Sequence, residues 1–317
     1  MAANDPDTGA ESALAFARRL REGVEAGLEL EIAAASALAT LPRSGRDLTA
    51  RIARRLTGDY HEDEWGFDEE FAESLYPLFD FLYEHWWRVK TMGASHVPSH
   101  GRGMLVANHA GSLFPFDASM ITAALMKEHP LPRWPRFMVG DWASELPFAS
   151  AFMRKLGGVS GSPHNATRIL TDDELMLVFP EGTRGPAKPY RERYRLRRFG
   201  RGGFVEIALR TRSPIVPVAV VGSEEIYPKL GEGGLLAKLT GAPFVPLTPT
   251  FPWLGPLGLI PLPARWRIEF CEPIDISGYP AEAADDPRVV FKLTEMVRRG
   301  IERALRENLL ERGSAFA

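Results

Sequence analysis

From residue 88 onward the chain repeats one pattern: a short apolar run, a polar loop, then a stretch with helical spacing. Runs such as Leu175-Met176-Leu177-Val178-Phe179 are continuous rather than alternating, as expected of strands buried on both faces. Strands are expected at roughly 88–92, 103–108, 136–140, 175–179, 214–221 and 265–271, with helices near 117–128, 145–155, 164–172, 201–211 and 286–312. Strands that alternate with helices are joined by crossovers, so the fold class is α/β, with a largely parallel central sheet flanked by helices. Residues 1–87 read as a helical N-terminal region, with helices at Ala10–Leu41, Asp47–Leu56 and Asp68–Trp87 and a Pro42-Arg43-Ser44-Gly45 break. Residues 88–317 form the α/β domain, and 317 residues at 45% hydrophobic content suffice for a full core.

An open parallel sheet carries its chemistry on loops at the carboxyl ends of its strands. Two runs end in reactive residues. Leu105-Val106-Ala107 leads into Asn108-His109-Ala110-Gly111-Ser112, with Asp117 eight residues after the histidine. An imidazole at that place suits a general base, and a carboxylate accepting its other N–H orients the ring. Asp117 is the nearest candidate for that role; its alternative is the N-cap of the helix starting near Ala118. The second run ends in Pro180-Glu181-Gly182-Thr183-Arg184. Arg184 offers a donor fork for phosphate, Thr183 a hydroxyl, and Gly182 a close backbone approach. Glu181 is placed either to bond an acceptor hydroxyl or to brace Arg184.

Composition removes several classes of function. A single cysteine, Cys271, permits neither an internal disulfide nor a thiolate cluster, and the seven histidines contain no His-Glu-x-x-His, so no metal site is expected. A Gly-x-Ser-x-Gly elbow is also absent, Gly158-Val159-Ser160-Gly161 falling short of it. The net charge of −3 is unevenly spread. Asp59 to Glu73 carries eight acids and no Lys or Arg, while Arg184 to Arg201 carries eight basic residues and one Glu. In the basic run Arg191, Arg193, Arg195, Arg197 and Arg198 interleave with Tyr190, Tyr194 and Phe199. It reads as a solvated loop or as a surface for coenzyme A phosphates, a carrier protein or anionic headgroups. Nucleic acid is not an expected partner, because no recognised module accompanies the arginines in an acidic chain.

The Asn-His…Asp block and the Phe-Pro-Glu-Gly-Thr-Arg block, followed by Phe199-Gly200-Arg201-Gly202 and Ile215-Val216-Pro217-Val218, resemble the glycerolipid (lysophospholipid) acyltransferases, over roughly residues 88 to 275. The resemblance implies acyl transfer from acyl-CoA or acyl carrier protein, as co-substrate, to a hydroxyl of a glycerolipid or lysophospholipid. No cofactor is implied. His109 and Asp117 would be catalytic, and Asn108, Gly111, Ser112, Glu181, Gly182, Thr183 and Arg184 would bind substrate. Backbone N–H groups around Gly111 and at the helix start near Ala118 would hold the tetrahedral oxyanion. Two departures stand out. The family usually places its Asp five residues after the His, and the segment Leu156–His164 lacks the arginine that typical lysophosphatidate enzymes carry, none occurring before Arg168. The longer, proline-containing loop is nearer the mono- and diacylglycerol acyltransferase-related branch, and the missing arginine leaves room for a neutral acceptor such as a diacylglycerol or another lipid alcohol. The competing readings are a lipid esterase or thioesterase and a non-catalytic lipid-binding protein that keeps the fold.

Lipid substrates imply a membrane surface. The uncharged stretch Leu239–Ala264 holds seven prolines, which rule out a continuous helix. Phe244, Phe251, Trp253, Leu254, Leu257, Leu259 and Ile260 are therefore either tucked under the domain or exposed for docking, with Phe244–Ile260 as the expected membrane contact. Met1–Glu11 is polar and acidic, unlike a secretion signal, so the expectation is a cytoplasmic chain peripheral on the cytoplasmic face of the membrane.

Overall fold

Buried on both faces, the apolar runs assemble into one seven-stranded sheet, seen in a computed structural model that describes residues 61–110, 114, 116–140, 149–232 and 246–316, together with Arg18 and Glu22. The strands are β1 (Lys90–Met92), β2 (Gly103–Ala107), β3 (Arg136–Val139), β4 (Gly158–Ser160), β5 (Leu175–Val178), β6 (Ile215–Val221) and β9 (Arg267–Phe270). A separate antiparallel pair joins β7 (Gly231–Glu232) to β8 (Pro246–Leu247). The sheet order is β1-β9-β6-β2-β5-β3-β4, parallel at every pairing except β6 with β9. The largely parallel α/β fold expected from the sequence is therefore present. The three-residue edge strand β4 was not expected, since Gly-Val-Ser carries almost no apolar signal.

Six helices accompany the strands among the described residues: α1 (Glu69–Phe81), α2 (Phe116–Glu128), α3 (Ala149–Lys155), α4 (Pro163–Thr171), α5 (Gly203–Thr211) and α6 (Pro287–Arg312). Successive side chains of a strand point to opposite faces, and β2 shows the result. Leu105 and Ala107 join the core shared with α1, α2, Trp87 and Trp266, whereas Met104 and Val106 join the core built from α4, α5 and α6. Trp87 stacks on Trp266 at 4.8 Å. Cys271 lies in the second core, where burial pushes its thiol up to about 12, so it packs as a small apolar residue rather than a nucleophile.

The chain divides into compact units Met1–His61 and Glu62–Ala317. Of the helices expected at 10–41 and 47–56, the described residues are Arg18 and Glu22, both helical; the rest lie outside the described residues. The third expected helix is α1, capped by Asp68, whose carboxylate accepts the Phe71 N–H at 2.8 Å, and it belongs to the second unit. Much of the acidic run is taken up internally. Asp63 pairs with Arg136 at 2.5 Å, Glu62 and Asp68 with Lys155 at 2.7 and 3.2 Å, and Glu64 with Arg168. That charge ties the segment before α1 to the sheet side of the domain.

The central strands carry the stability of this arrangement. Leu177 on β5 is fully buried between β2 and β3, so Leu177→Ala is expected to cost about 2–5 kcal/mol in urea unfolding. A loss below about 1 kcal/mol would show that this strand is not the close-packed centre.

Candidate active site

Three adjacent parallel strands, in the order β6, β2, β5, release their loops at one edge of the sheet. His109 lies two residues past β2, Glu181 three past β5 and Glu224 three past β6. The first two line or brace a cavity of about 380 Å³, whose walls are mostly apolar: Phe137, Met153, Val178, Phe179 and Phe204 among them.

His109 and Asp117 meet despite their eight-residue spacing. The Nδ1 of His109 is 2.9 Å from Oδ2 of Asp117, and the same oxygen accepts the Ala110 N–H at 2.8 Å. Helix α2 starts at Phe116, which puts Asp117 in the first turn rather than at the N-cap, fully buried beneath the ring it orients. The imidazole stacks on Phe179 at 4.4 Å and lines the cavity. With Nδ1 engaged by a carboxylate, Nε2 is the nitrogen left to accept a proton.

The second block is divided by its surroundings. Gly182 and Thr183 line the cavity as expected. Arg184 is exposed on the outer side of the turn and is not part of the lining, so the expected anion clamp lies outside the cavity wall. Glu181 is buried and braces backbone rather than Arg184: Oε1 accepts the His109 N–H at 3.0 Å and Oε2 the Arg197 N–H at 2.7 Å. Asn108 is likewise spoken for. Its amide donates to the Val220 carbonyl at 2.9 Å and accepts the Val220 N–H at 2.8 Å, splicing the end of β2 to β6. Neither side chain is on offer to a substrate. Gly111 and Ser112 lie outside the described residues; Ala118, at the expected oxyanion end of α2, does line the cavity.

Sequence reasoning missed the buried charges that hold the site. Lys188 sits 2.7 Å from Glu224 and 3.4 Å from Glu181, all three side chains almost fully enclosed. Glu224 also accepts the Tyr194 N–H, while the Tyr194 hydroxyl bonds Glu225, itself paired with Arg312 at 2.9 Å. Close approach is built in at Gly185, where a Cβ would stand 2.4 Å from the His109 carbonyl oxygen. The basic run is thus a strap fastened against the loop that carries His109. One cation for two carboxylates leaves Glu224 short of compensation, and burial, partly opposed by Lys188, pushes its carboxyl from 4.5 up to about 7.

A carboxyl with a raised folded pKa withdraws stability as pH climbs from its unfolded value through its folded one. For Glu224 that window runs from 4.5 to about 7. Glu224→Gln should therefore gain in melting temperature relative to the parent chain between pH 5 and pH 8. A difference that stays flat or falls over that range would place the protonation elsewhere in the cluster.

Comparison with known proteins agrees with this geometry. Residues 88–221 match the Acyltransferase family. Uncharacterized proteins of Mycobacterium tuberculosis and Mycobacterium bovis are each 45% identical over 289 residues, covering 90% of this chain and 80% of theirs. One of Mycobacterium leprae is 45% identical over 287 residues, covering 90% and 78%. The crystal structure of the 1-acyl-sn-glycerophosphate (LPA) acyltransferase PlsC from Thermotoga maritima shares the fold, with a TM-score of 0.51 and 22% identity over 77% of this chain and 80% of that one. Taken with the His109–Asp117 pair and the Phe-Pro-Glu-Gly-Thr-Arg turn, these matches show that residues 88–221 form an acyltransferase-family domain.

Proposed function

We propose that this acyltransferase moves a fatty acyl group from acyl-CoA to a hydroxyl of a glycerolipid or lysophospholipid, with His109 as the general base. The observation that carries the reading is a carboxylate-oriented imidazole opening onto an apolar cavity. Asp117 holds the proton on Nδ1, so Nε2 takes the acceptor's hydroxyl proton as its oxygen attacks the thioester carbonyl. The carbonyl oxygen becomes an oxyanion, then re-forms the double bond as the thiolate leaves, protonated by the imidazolium. No covalent enzyme intermediate is needed, because the thioester is already activated. The apolar walls suit the acyl chain.

Support for the acceptor comes from where the cations are. Arg168 is held by Glu64 and Arg136 by Asp63 and Glu174, and neither lines the cavity, whose one cation among the described residues, Arg201, is assigned below to the donor. That favours a neutral lipid alcohol, as in the mono- and diacylglycerol acyltransferase-related branch.

Access is proposed to run along the membrane. Among the described residues no helix is long and apolar enough to cross a bilayer. The proline-rich stretch instead exposes Trp253, Leu254, Leu257, Leu259 and Ile260, while Phe244 lies outside the described residues. The Tyr227 hydroxyl donates to the Leu259 carbonyl at 2.5 Å, the Tyr227 ring lies 6.4 Å from Phe116, and Phe116 packs 4.9 Å from Phe114 on the cavity wall. An aromatic path thus links the apolar loop to the cavity. Docking by this loop would set the mouth at the lipid surface, on the cytoplasmic face.

Two measurements test the reading. Thiol release and ester formation from palmitoyl-CoA, across lysophosphatidate, lysophospholipid, monoacylglycerol, diacylglycerol and water, should show an acceptor-dependent product that His109→Ala lowers by about 10²–10⁴-fold. Free fatty acid as the sole product would make the protein a thioesterase. In liposome sedimentation, Trp253→Glu with Leu257→Glu should lose binding at unchanged melting temperature; undiminished binding would exclude this loop as the anchor.

A further inference from the structure

Next to the active-site cavity runs a second, larger groove of about 750 Å³, between the end of the strap, α5 and the first half of α6. The two share one wall, Phe199-Gly200-Arg201. We propose that this groove holds the phosphorylated adenosine of coenzyme A, so that the donor lies across the shared wall with its thioester beside His109. The inference rests on the acyl-CoA reading above and assigns the nucleotide a place outside the catalytic cavity.

Charge is the first argument. Four arginines line the groove, and two of them are neutralised: Arg210 by Asp285 at 2.6 Å, Arg298 by Glu302 at 2.7 Å and Glu295 at 3.7 Å. Arg198 and Arg201 are exposed and engaged by no carboxylate of the described residues. Against them stands Glu206, the remaining acid of the lining. Two unclaimed guanidinium forks at one end of a groove suit a phosphate, which they bind through paired, charge-assisted hydrogen bonds.

Shape and apolar surface supply the second. Phe291 on α6 lines the groove with 69% of its surface exposed, beside the buried Val290. A half-open aromatic ring flanked by arginines offers a stacking face for a purine. The passage between the two cavities crosses Gly200. Its φ of +52° accounts for the glycine, and apart from its neighbours Phe199 and Arg201 nothing lies within 4 Å of where a Cβ would stand, so the wall is lowest there for the slender pantetheine arm.

Calorimetric titration of the full chain with coenzyme A, 3′-dephospho-CoA and pantetheine tests this without requiring turnover. Coenzyme A should bind more tightly than dephospho-CoA, and both more tightly than pantetheine, with an affinity that falls as salt rises. Arg198→Ala and Arg201→Ala should each weaken coenzyme A binding by about tenfold, the loss of one charge-assisted contact. Phe291→Ala, on an exposed helix face, should weaken coenzyme A and dephospho-CoA alike. Equal affinity for the three ligands, or coenzyme A binding indifferent to all three substitutions, would overturn the proposal. So would exclusive binding of an acidic acyl carrier protein. Arginine-dependent coenzyme A binding without ester formation would uphold the groove while refuting the activity. Ester formation in which Arg198→Ala and Arg201→Ala raise the acceptor's KM and spare that of palmitoyl-CoA would uphold the activity and refute the groove.

Discussion

Glu181 is the carboxylate on which the site hangs. One oxygen accepts the backbone N–H of His109, the other that of Arg197, so a single buried side chain joins the loop carrying His109 to the strap carrying the arginines. Removing a carboxylate from water is costly unless hydrogen bonds and an opposite charge replace the solvent. Here two N–H groups and Lys188 do so. The position of the imidazole, the shape of the cavity wall after β5 and the course of the strap follow from one constraint.

Lys188 extends that constraint to the third strand end, since Glu224 follows β6 and reaches the same ammonium. Such a cluster specifies geometry more than it adds stability, because desolvation of three charges offsets most of their attraction. Its asymmetry has a consequence. Burial raises the Glu224 carboxyl to about 7; Lys188 and the Tyr194 N–H oppose the rise, and the nearby Glu181 carboxylate adds to it. Further out, Tyr194, Glu225 and Arg312 fasten the strap to the C-terminal end of α6, the helix whose other half floors the arginine-lined groove.

The central strands β2, β5 and β6 were legible because each is buried on both faces and reads as an unbroken apolar run, and β9 because its side chains alternate; β4, three residues of Gly-Val-Ser at the edge, leaves no such trace. The His109–Asp117 pair was legible as residue types, and its spacing was not an obstacle, because the loop after Ala110 returns to α2 with Asp117 facing the histidine. What spacing does not encode is the direction of a side chain. Glu181 and Asn108 look alike in sequence to ligands for a substrate, yet each is turned into the sheet edge, where backbone groups without ladder partners draw them in. Arg184, beside them in sequence, projects outward because a tight turn of three residues rotates successive side chains by about 120°. Lys188, Glu224 and Glu225 carry no local pattern at all, since their meaning arises from three loops brought together by the sheet.

Arg201 is the point where the donor and acceptor questions meet. Among the described residues lining the catalytic cavity it alone carries a permanent positive charge, and it is also part of the groove beyond. Phosphate oxygens of donor and acceptor cannot both take the same fork. If the nucleotide end of the donor claims Arg201 together with Arg198, the cavity keeps no cation for an acceptor phosphate, and an uncharged hydroxyl lipid is the acceptor that needs none. Arg168, within α4, is tied to Glu64 and lies outside the cavity lining. On the proposed reading, the arginine missing from the acceptor side and the arginines crowded on the strap would then serve one division of labour, with the positive charge reserved for the donor.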